Sequence, residues 1–344
     1  MIREAIAKLV ARVDLSQQEA EGVMHEIMHG EATPSQISAF LTALRMKGET
    51  VAEITGCATA MRANALAVKA RQRELVDTCG TGGDEVGTFN ISTTVAFVVA
   101  GAGVAVAKHG NRSVSSRCGS ADLLESLGAR IELGPEEAAR CIDEVGIGFL
   151  FAPRLHPAMK YAMPSRREMG IRTIFNLLGP LTNPASATAQ LLGVYDAALT
   201  EPLAQVLSLL GTHQALVVHG ANGMDELSTT GANKLTQLRD GDITTYYLEP
   251  GELGLSPASL EDLKGGRPEE NVEITLGLLR GDKGPKRDVV LLNAAAALVI
   301  AQKAPDFEHG LGMAAQAIDS GQALKKLEQF VQFSQSLGES RVSG

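Results

Sequence analysis

Apolar side chains recur every three or four positions at the amino-terminal end of the chain, which is the spacing of one helix face. The first such set consists of Ile2, Ile6, Leu9, Val10 and Val13. Three more helix starts are predicted where a hydroxyl residue precedes Glu or Gln by three positions, in the pairs Ser16 and Glu19, Thr33 and Gln36, and Thr50 and Glu53. Gly30 and Gly48 mark the ends of the preceding helices. The pattern predicts an all-helical segment over about the first 70 residues.

A different pattern begins near residue 75, where short apolar runs alternate with helical periodicity. The runs suited to buried strands are Val104–Ala107, Gly148–Ala152, Gln190–Tyr195 and Ala215–His219. The helical stretches include Ala121–Leu127, Glu136–Val145, Glu201–Leu210 and Val289–Ala301. Such alternation requires crossover connections, so it predicts a mostly parallel sheet flanked by helices. Residues 250–270, rich in Gly, Pro and charge, are expected to form a long loop.

Together the two patterns predict an α/β protein with a small N-terminal all-helical domain and a larger α/β domain. We expect domains at 1–72 and 73–344, with a segment near 165–188 joining the helical domain. The 344 residues are 44% hydrophobic and 21% charged, as in ordinary folded proteins. A net charge of −9 argues against a general nucleic-acid binder, because neutralising phosphates requires a basic face. To bind a phosphorylated small molecule, an acidic protein would need a local feature such as a glycine-rich loop or a magnesium ion.

The sequence gives no sign of a targeting or membrane segment. The amino terminus interleaves charged and apolar residues, unlike a signal peptide. The longest apolar run, Val95–Ala107, is shorter than the roughly 18–20 residues that a membrane span needs. Four scattered cysteines are expected to be reduced, and a cytoplasmic location is expected. They are Cys57, Cys79, Cys118 and Cys141.

Two segments have the composition of a phosphate-binding site. Three glycines within four residues of Asp77–Asp84 allow backbone N–H groups to converge on an anion. The hydroxyl-rich start of the next predicted helix, 90–94, offers further donors. Lys108–Asp122 follows the strand predicted at Val104–Ala107 and adds cations, an amide and hydroxyls. A tight turn and a solvated surface loop are the alternatives that composition alone leaves open.

Adjacent acids follow another predicted strand, at Asp225 and Glu226 within His219–Ser228. Carboxylates at the carboxyl end of a strand suit magnesium, which also takes water and substrate phosphate as ligands. A different motif, His25-Glu26-Ile27-Met28-His29, matches the H-E-x-x-H zinc signature. Helical geometry directs both histidines away from the apolar face and towards solvent, and no third ligand follows, so we predict no zinc site there.

Six stretches resemble the anthranilate phosphoribosyltransferases in order and spacing: DTCGTGGD, NIST, KHGNRSVSS, CGSAD, RREMGIRTIFNLLGPLTNP and GMDELS. The resemblance runs from the N-terminal helices to the C-terminus. It implies the fold of the nucleoside phosphorylase and phosphoribosyltransferase class, an active site between the two domains, and a homodimer contacting through the helical domains. It also implies transfer of the phosphoribosyl group of 5-phosphoribosyl 1-diphosphate to anthranilate, with Mg²⁺, in tryptophan biosynthesis.

The resemblance also implies the roles of individual residues. Magnesium is expected at Ser92, Asp225 and Glu226, and anthranilate at Gly80, Asn111 and Arg166. The expected contacts of the phosphoribosyl diphosphate are Gly80, Gly83, Asp84, Thr88, Asn90, Ile91, Ser92, Thr93, Lys108, His109, Gly110, Asn111, Arg112, Ser113, Val114, Ser115, Ser116 and Ser120. No catalytic base is expected, because the amine of anthranilate is already neutral and catalysis is mainly electrostatic and positional.

Two other functions are compatible with parts of this pattern. A nucleoside phosphorylase has a similar fold and cleaves the same kind of ribosyl bond, so the fold alone does not exclude it. The intact KHGNR and DELS stretches favour the transferase. A non-catalytic relative that binds nucleic acid would be expected to have a more basic surface and to lack the two acids. No nucleic acid or membrane partner is therefore expected.

Overall fold

The computed structural model describes residues 1–83, 86–113 and 117–339. Its amino-terminal part is helical, with α1 (Ile2–Val10), α2 (Gln17–Met28), α3 (Pro34–Lys47) and α4 (Val51–Ala63). The three predicted capping boxes are present, at Ser16, Thr33 and Thr50. Gly30 and Gly48 follow α2 and α3 with φ of +75° and +92°, where glycine avoids the strain of a left-handed backbone. These local predictions are confirmed.

The rest of the chain alternates strands and helices before ending in helices. The strands are β1 (Val76–Gly80), β2 (Val106–Gly110), β3 (Ile147–Phe151), β4 (Ala189–Gly193), β5 (Gln214–His219), β6 (Asn233–Arg239) and β7 (Asp242–Leu248). The helices are α5 (Ile91–Gly101), α6 (Ser120–Ser126), α7 (Pro135–Val145), α8 (Ala152–Leu155), α9 (Met163–Met169), α10 (Phe175–Leu181), α11 (Thr200–Leu209), α12 (Pro268–Leu279), α13 (Pro285–Ile300), α14 (Phe307–Asp319) and α15 (Gln322–Glu339).

The strands form one sheet in the order β3-β2-β1-β4-β5-β6-β7. Strands β1 to β5 are parallel to one another, and β6 pairs antiparallel with both β5 and β7. The predicted fold class, a helical domain plus a mostly parallel α/β sheet, is confirmed. The direction of winding reverses between β1 and β4, so a crevice is expected beyond their carboxyl ends. Ligands of open α/β sheets bind at such reversal points.

Three details of the sheet differ from the sequence-based expectation, and the first is that β1 (Val76–Gly80) was not among the predicted strands. The second strand extends to Gly110 rather than ending at Ala107, because Lys108 and His109 are buried polar residues within it. The β6–β7 hairpin was not predicted. It turns at Asp240 and Gly241, both with positive φ, which is the backbone that a tight hairpin favours. Residues 250–270 contain two short 3-10 turns and the start of α12.

Helix α5 lies at the centre of the larger core, and nearly all its side chains are buried. A second apolar cluster joins α1 to α4 with α10, α11 and the other face of the sheet. Arg62 of α4 fixes this junction, because its guanidinium donates to the carbonyls of Leu181 (2.7 Å) and Leu210 (2.9 Å). Within the described part of the chain, no helix has the length and apolar composition needed to cross a membrane.

Candidate active site

Two glycines face each other at the point where the sheet reverses direction. Gly80 ends β1 and Gly193 ends β4, and the two are paired in register. A side-chain carbon on Gly80 would overlap the carboxylate of Asp225, and one on Gly193 would overlap the Asp225 carbonyl. Glycine at both strand ends is therefore what allows the loop after β5 to lie across the crevice.

The adjacent acids contact the two elements predicted to bind phosphate. The Gly82 N–H donates to Oδ2 of Asp225 at 2.7 Å, and the Ser92 N–H donates to Oε1 of Glu226 at 3.1 Å. Both acidic residues are half-buried. The structure thus brings together the glycine loop, the start of α5 with Ser92, and the two acids predicted to bind magnesium. In this state the carboxylates accept hydrogen bonds from donors that the sequence analysis assigned to phosphate.

A buried asparagine on α13 holds the loop that carries the acids. Asn293 accepts a hydrogen bond from the Leu227 N–H (3.0 Å) and donates to the Leu227 carbonyl (2.8 Å). It also donates to the carbonyl of Val289 at 2.8 Å, and it is fully buried. Leu227 directly follows Glu226, so Asn293 fixes the backbone next to the acids. Sequence reasoning missed this residue, although a single Asn within an apolar helix is a usable signal.

Lys108 places a buried ammonium beside these groups. Its Nζ donates to the Thr78 carbonyl (2.5 Å) and to Oγ of Ser92 (3.2 Å). Burial lowers the pKa of Lys108, and the carboxylates of Asp77 and Glu226 act against that shift. Burial also raises the pKa of Asp77 to about 6, with Lys108 acting in the opposite direction. Asp77 and Lys108 therefore each favour the charged form of the other.

The next residue, His109, is held neutral. Its ring Nδ1 lies 3.1 Å from the carbonyl of Gly179, and burial together with the neighbouring His156 lowers its pKa to about 3. Burial lowers the pKa of His156 to about 4, and the two rings lie 5.1 Å apart. Nε2 of each ring is buried and has no hydrogen-bond partner among the residues that the structure describes. A neutral His109 supplies no positive charge to an anion, so at this strand end that charge comes from Lys108.

The loop after β2 folds onto the start of α6. The carbonyl of Asn111 accepts from Oγ of Ser120 (3.1 Å), while Asp122 accepts from the Ser113 N–H (3.1 Å). A side-chain carbon on Gly110 would overlap Oγ of Ser120, so the strand end and the helix are in direct contact. The exposed Asn111 side chain accepts a hydrogen bond from the next backbone N–H at 2.7 Å.

Arg112 is directed towards α6. Its guanidinium pairs with Glu125 (2.5 Å) and Asp122 (3.1 Å), and it lies over the ring of Phe151 at 5.6 Å. It would have to leave these partners to bind a phosphate. Its predicted contact with the phosphoribosyl diphosphate stays a prediction.

The other predicted donor-site residues surround the start of α5. Asn90 donates to the Cys118 carbonyl (3.0 Å) and accepts from Asn271 (2.9 Å). Ile91 and Thr93 have buried side chains. Thr88 is half-buried and forms an isolated antiparallel bridge with Lys264. Asp84 and the run Val114, Ser115 and Ser116 lie outside the described residues.

Arg166 lies on α9, and its guanidinium is 4.9 Å from the ring centroid of Phe175. Nη1 also lies 3.8 Å from Sδ of Met163. Among the described residues no acidic side chain pairs with Arg166, and burial lowers its pKa. A half-buried cation on an aromatic face suits an aromatic carboxylate. The neighbouring Arg167 is exposed, as expected.

Two further polar residues near the crevice had no role in the sequence analysis. Asn183 donates to Asp77 (2.8 Å) and to the Ala107 carbonyl (2.8 Å), which joins the segment after α10 to β1 and β2. Arg172 donates to the carbonyl of Gly83 and lies over the ring of Tyr195. Both belong to the RREMGIRTIFNLLGPLTNP stretch, but no local pattern indicates which distant backbone they contact.

The H-E-x-x-H stretch lies on and just after α2. His29 is exposed, and Nδ1 of His25 lies 3.2 Å from Nδ2 of Asn64. The Glu26 carboxylate pairs with the amino group of Met1 at 3.0 Å. Across residues 1–83, 86–113 and 117–339, no three His, Cys, Asp or Glu side chains gather as a metal cluster. The four cysteines are buried and unbridged.

The predicted magnesium residues fit that ion by their chemistry. Ser92, Asp225 and Glu226 offer oxygen atoms only, and two carboxylates are the number with which magnesium commonly binds alongside water and substrate phosphate. Both acids are half-buried, so neither is enclosed in the core. A fully enclosed protein cage is not required for this ion.

Comparisons with known proteins agree with this geometry. Two family models match: a glycosyl transferase family helical bundle domain over residues 3–65 and a glycosyl transferase family a/b domain over residues 72–324. A curated relative from Symbiobacterium thermophilum, named anthranilate phosphoribosyltransferase, is 58% identical over 324 residues, or 94% of this chain and 95% of that one.

Solved structures are similar over nearly the whole chain. The crystal structure of anthranilate phosphoribosyltransferase from Thermus thermophilus has a TM-score of 0.91 at 46% identity, and the match covers 96% of this chain and 99% of that one. The enzyme of the same name from Saccharomyces cerevisiae, in complex with PRPP and Mg, has a TM-score of 0.89 at 29% identity. That match covers 97% and 98% of the two chains.

Proposed function

The chain belongs to the anthranilate phosphoribosyltransferase family, and on that basis we propose the reaction it catalyses. It transfers the phosphoribosyl group of 5-phosphoribosyl 1-diphosphate to the amine of anthranilate, giving N-(5-phosphoribosyl)anthranilate and diphosphate. The step belongs to tryptophan biosynthesis. The observation that carries the proposal is the meeting of Asp225 and Glu226 with the glycine loop and the start of α5.

The reaction uses Mg²⁺, which the related yeast enzyme binds together with PRPP. Ser92, Asp225 and Glu226 are the residues that would hold it. When bound, magnesium supplies neutralising charge to the diphosphate. The carboxylates accept hydrogen bonds from the Gly82 and Ser92 amides, so Asp225 and Glu226 would have to give up these contacts to hold a metal. The two amides would then be free to donate to the diphosphate.

The residues of the chain act by electrostatics and position. The bond between the anomeric carbon and the diphosphate oxygen breaks, the amine nitrogen bonds to that carbon, and the amine loses a proton to water or to the departing diphosphate. Negative charge grows on the departing diphosphate, where Lys108 and the backbone amide of Gly82 supply positive potential. His109 contributes hydrogen bonding rather than charge, because its pKa is about 3. No side chain of this set is needed as a strong base.

Arg166 orients the acceptor in this proposal. Its guanidinium has no acidic partner among the described residues, and it lies over the buried Phe175 ring, which keeps it oriented. A two-pronged contact with the anthranilate carboxylate would fix the amine relative to the ribose. Gly80 and Asn111, at adjacent strand ends, complete the predicted anthranilate contacts.

We further propose the domain division 1–72 and 73–344, with residues 165–188 joining the helical domain. Support comes from Oγ of Ser165, which donates to the Pro34 carbonyl at 3.2 Å, and from the contact of Arg62 with Leu181. A cytoplasmic homodimer is also proposed. The exposed apolar side chains of Val10 (71%) and Met46 (70%) lie on α1 and α3 and suit such an interface. Light scattering of wild type and Val10→Glu with Met46→Glu tests it, and an unchanged monomeric mass in both would contradict it.

The catalytic proposal is tested by mixing the protein with phosphoribosyl diphosphate, anthranilate and magnesium and following the loss of anthranilate fluorescence. We expect turnover that stops when magnesium is chelated and resumes when it is restored. A parallel assay with pyrimidine nucleosides and inorganic phosphate examines phosphorylase activity. Phosphorolysis without anthranilate consumption would overturn the proposal.

A further inference from the structure

The segment between α9 and α10 carries two arginines that point to different places. Arg166, on α9, lies against Phe175. Gly170 ends α9 with φ of +60°, a left-handed turn that reverses the backbone. Arg172 follows that turn and is directed at the glycine loop. One short stretch of chain therefore contacts the proposed acceptor pocket at one end and the donor loop at the other.

Arg172 holds the glycine loop through a specific contact. Its Nη2 donates to the carbonyl of Gly83, and its guanidinium lies 4.6 Å from the ring centroid of Tyr195. A side-chain carbon on Gly83 would lie 3.1 Å from the guanidinium, so loop and arginine are in close contact. Stacking on an aromatic ring keeps the planar guanidinium oriented, which lysine cannot reproduce.

Tyr195 fastens the same loop from the sheet. Its N–H donates to Oγ1 of Thr81 at 3.3 Å, and the Thr81 N–H donates to the carbonyl of Gly193 at 2.9 Å. The loop is thus bound on one side to the end of β4 and on the other to Arg172. Because Arg172 rests on Tyr195, the two attachments form one connected unit.

We propose that Arg172 is a positioning residue that couples the anthranilate site to the phosphoribosyl diphosphate site. The inference rests on the proposed function of Arg166 and the glycine loop. Binding of a carboxylate at Arg166 restrains the segment between α9 and α10, and Arg172 transmits that restraint to Gly83. Diphosphate bound at the glycine loop changes the affinity of the Arg166 site for anthranilate by the same factor, because coupling between two binding sites is reciprocal.

The test measures coupling without turnover. Calorimetry gives the dissociation constant of anthranilate alone and in the presence of saturating magnesium diphosphate, and their ratio is the coupling factor. We expect a factor of roughly fivefold or more in wild type and a factor within about twofold of unity in Arg172→Ala. Arg172→Lys, which keeps the charge but not the planar stack, should fall between them. Arg167→Ala, at an exposed arginine of α9, is the matched control and should keep the wild-type factor.

The following results would contradict the proposal. An unchanged factor in folded Arg172→Ala overturns it, as does a factor of unity in wild type. Weaker diphosphate binding with an unchanged factor would make Arg172 a direct ligand instead. Tyr195→Leu removes the stack and keeps the guanidinium, so it decides the matter if Arg172→Ala does not fold: an unchanged factor there also overturns the coupling. Failure of wild type to consume anthranilate is separate, since it overturns the proposed reaction.

Discussion

Replacing His156 by glutamine should remove a large part of the acid sensitivity of this protein. His156 is buried beside His109, and burial lowers its pKa from an ordinary 6.5 to about 4. A histidine whose pKa is depressed in the folded state stabilises the fold above its unfolded pKa. That stability is lost as the pH falls through the window from 6.5 towards 4. Glutamine stays neutral throughout the window.

The size of the effect follows from the two pKa values. The full difference corresponds to about 3 kcal/mol, and about 2 kcal/mol of it is lost between about pH 7.5 and pH 5. His109 acts in the same direction, because its pKa is lowered to about 3. Asp77 acts in the opposite direction, because burial raises its pKa to about 6 and protonation then favours the fold. Both groups remain in the variant. His109 loses only the smaller contribution of His156 to its lowered pKa, because burial is the larger cause, so the difference between the two proteins comes mainly from His156.

Urea unfolding at the two pH values measures this difference. Wild type should lose about 2 kcal/mol more than His156→Gln between them. His29→Gln is the matched control, because it also removes one imidazole but at an exposed position of the helical segment. If wild type and His156→Gln lose the same stability on acidification, the argument from burial is refuted.

Four other variants test the site itself. Arg166→Ala should raise the Michaelis constant for anthranilate roughly ten- to a hundredfold, the loss typical of a charged hydrogen bond. Gly82→Val should mainly raise the Michaelis constant for phosphoribosyl diphosphate. Steady-state kinetics with each substrate varied in turn measures both constants, and an equal rise of the two in either variant would contradict the assignment. The double variant Asp225→Asn with Glu226→Gln should sharply lower turnover and weaken the dependence of activity on magnesium, while its circular dichroism spectrum stays unchanged. Full activity of this variant across a magnesium titration would count against the metal assignment. Asn293→Leu leaves the N–H and carbonyl of Leu227 without their partner, so it should lower the free energy of unfolding by about 2–5 kcal/mol, which urea unfolding measures. It should also raise the magnesium concentration needed for activity, which a metal titration measures.

The helical segment could be predicted closely because its signals are local. Each capping box joins residues three apart, and the structure contains all three, at Ser16, Thr33 and Thr50. Strand β2 was placed too early because an apolar run was taken to end where Lys108 begins. That lysine is buried, and its ammonium group is satisfied by hydrogen bonds to Thr78 and Ser92. A strand that carries site residues departs from the apolar pattern by which buried strands are recognised.

The candidate site was predictable in its parts but not in its connections. Motifs indicated the glycine loop and the acids separately, 143 positions apart in the chain. Nothing local indicates that Asp225 accepts a hydrogen bond from Gly82, or that Arg172 contacts Gly83. Such pairings are set by sheet topology, which brings the ends of β1, β4 and β5 together.

The two facing glycines show why those connections matter for interpreting the motifs. Read as sequence, Gly80 belongs to a phosphate loop and Gly193 to the end of an unrelated strand. In the fold, both are required by the same neighbour, Asp225, which would overlap a side-chain carbon at either position. The glycine at the end of β1 therefore makes room for the acid, since Gly80 has no left-handed φ that would itself require glycine. Its replacement is limited by a neighbour distant in sequence, because any larger residue would have to displace Asp225 even though the backbone tolerates one.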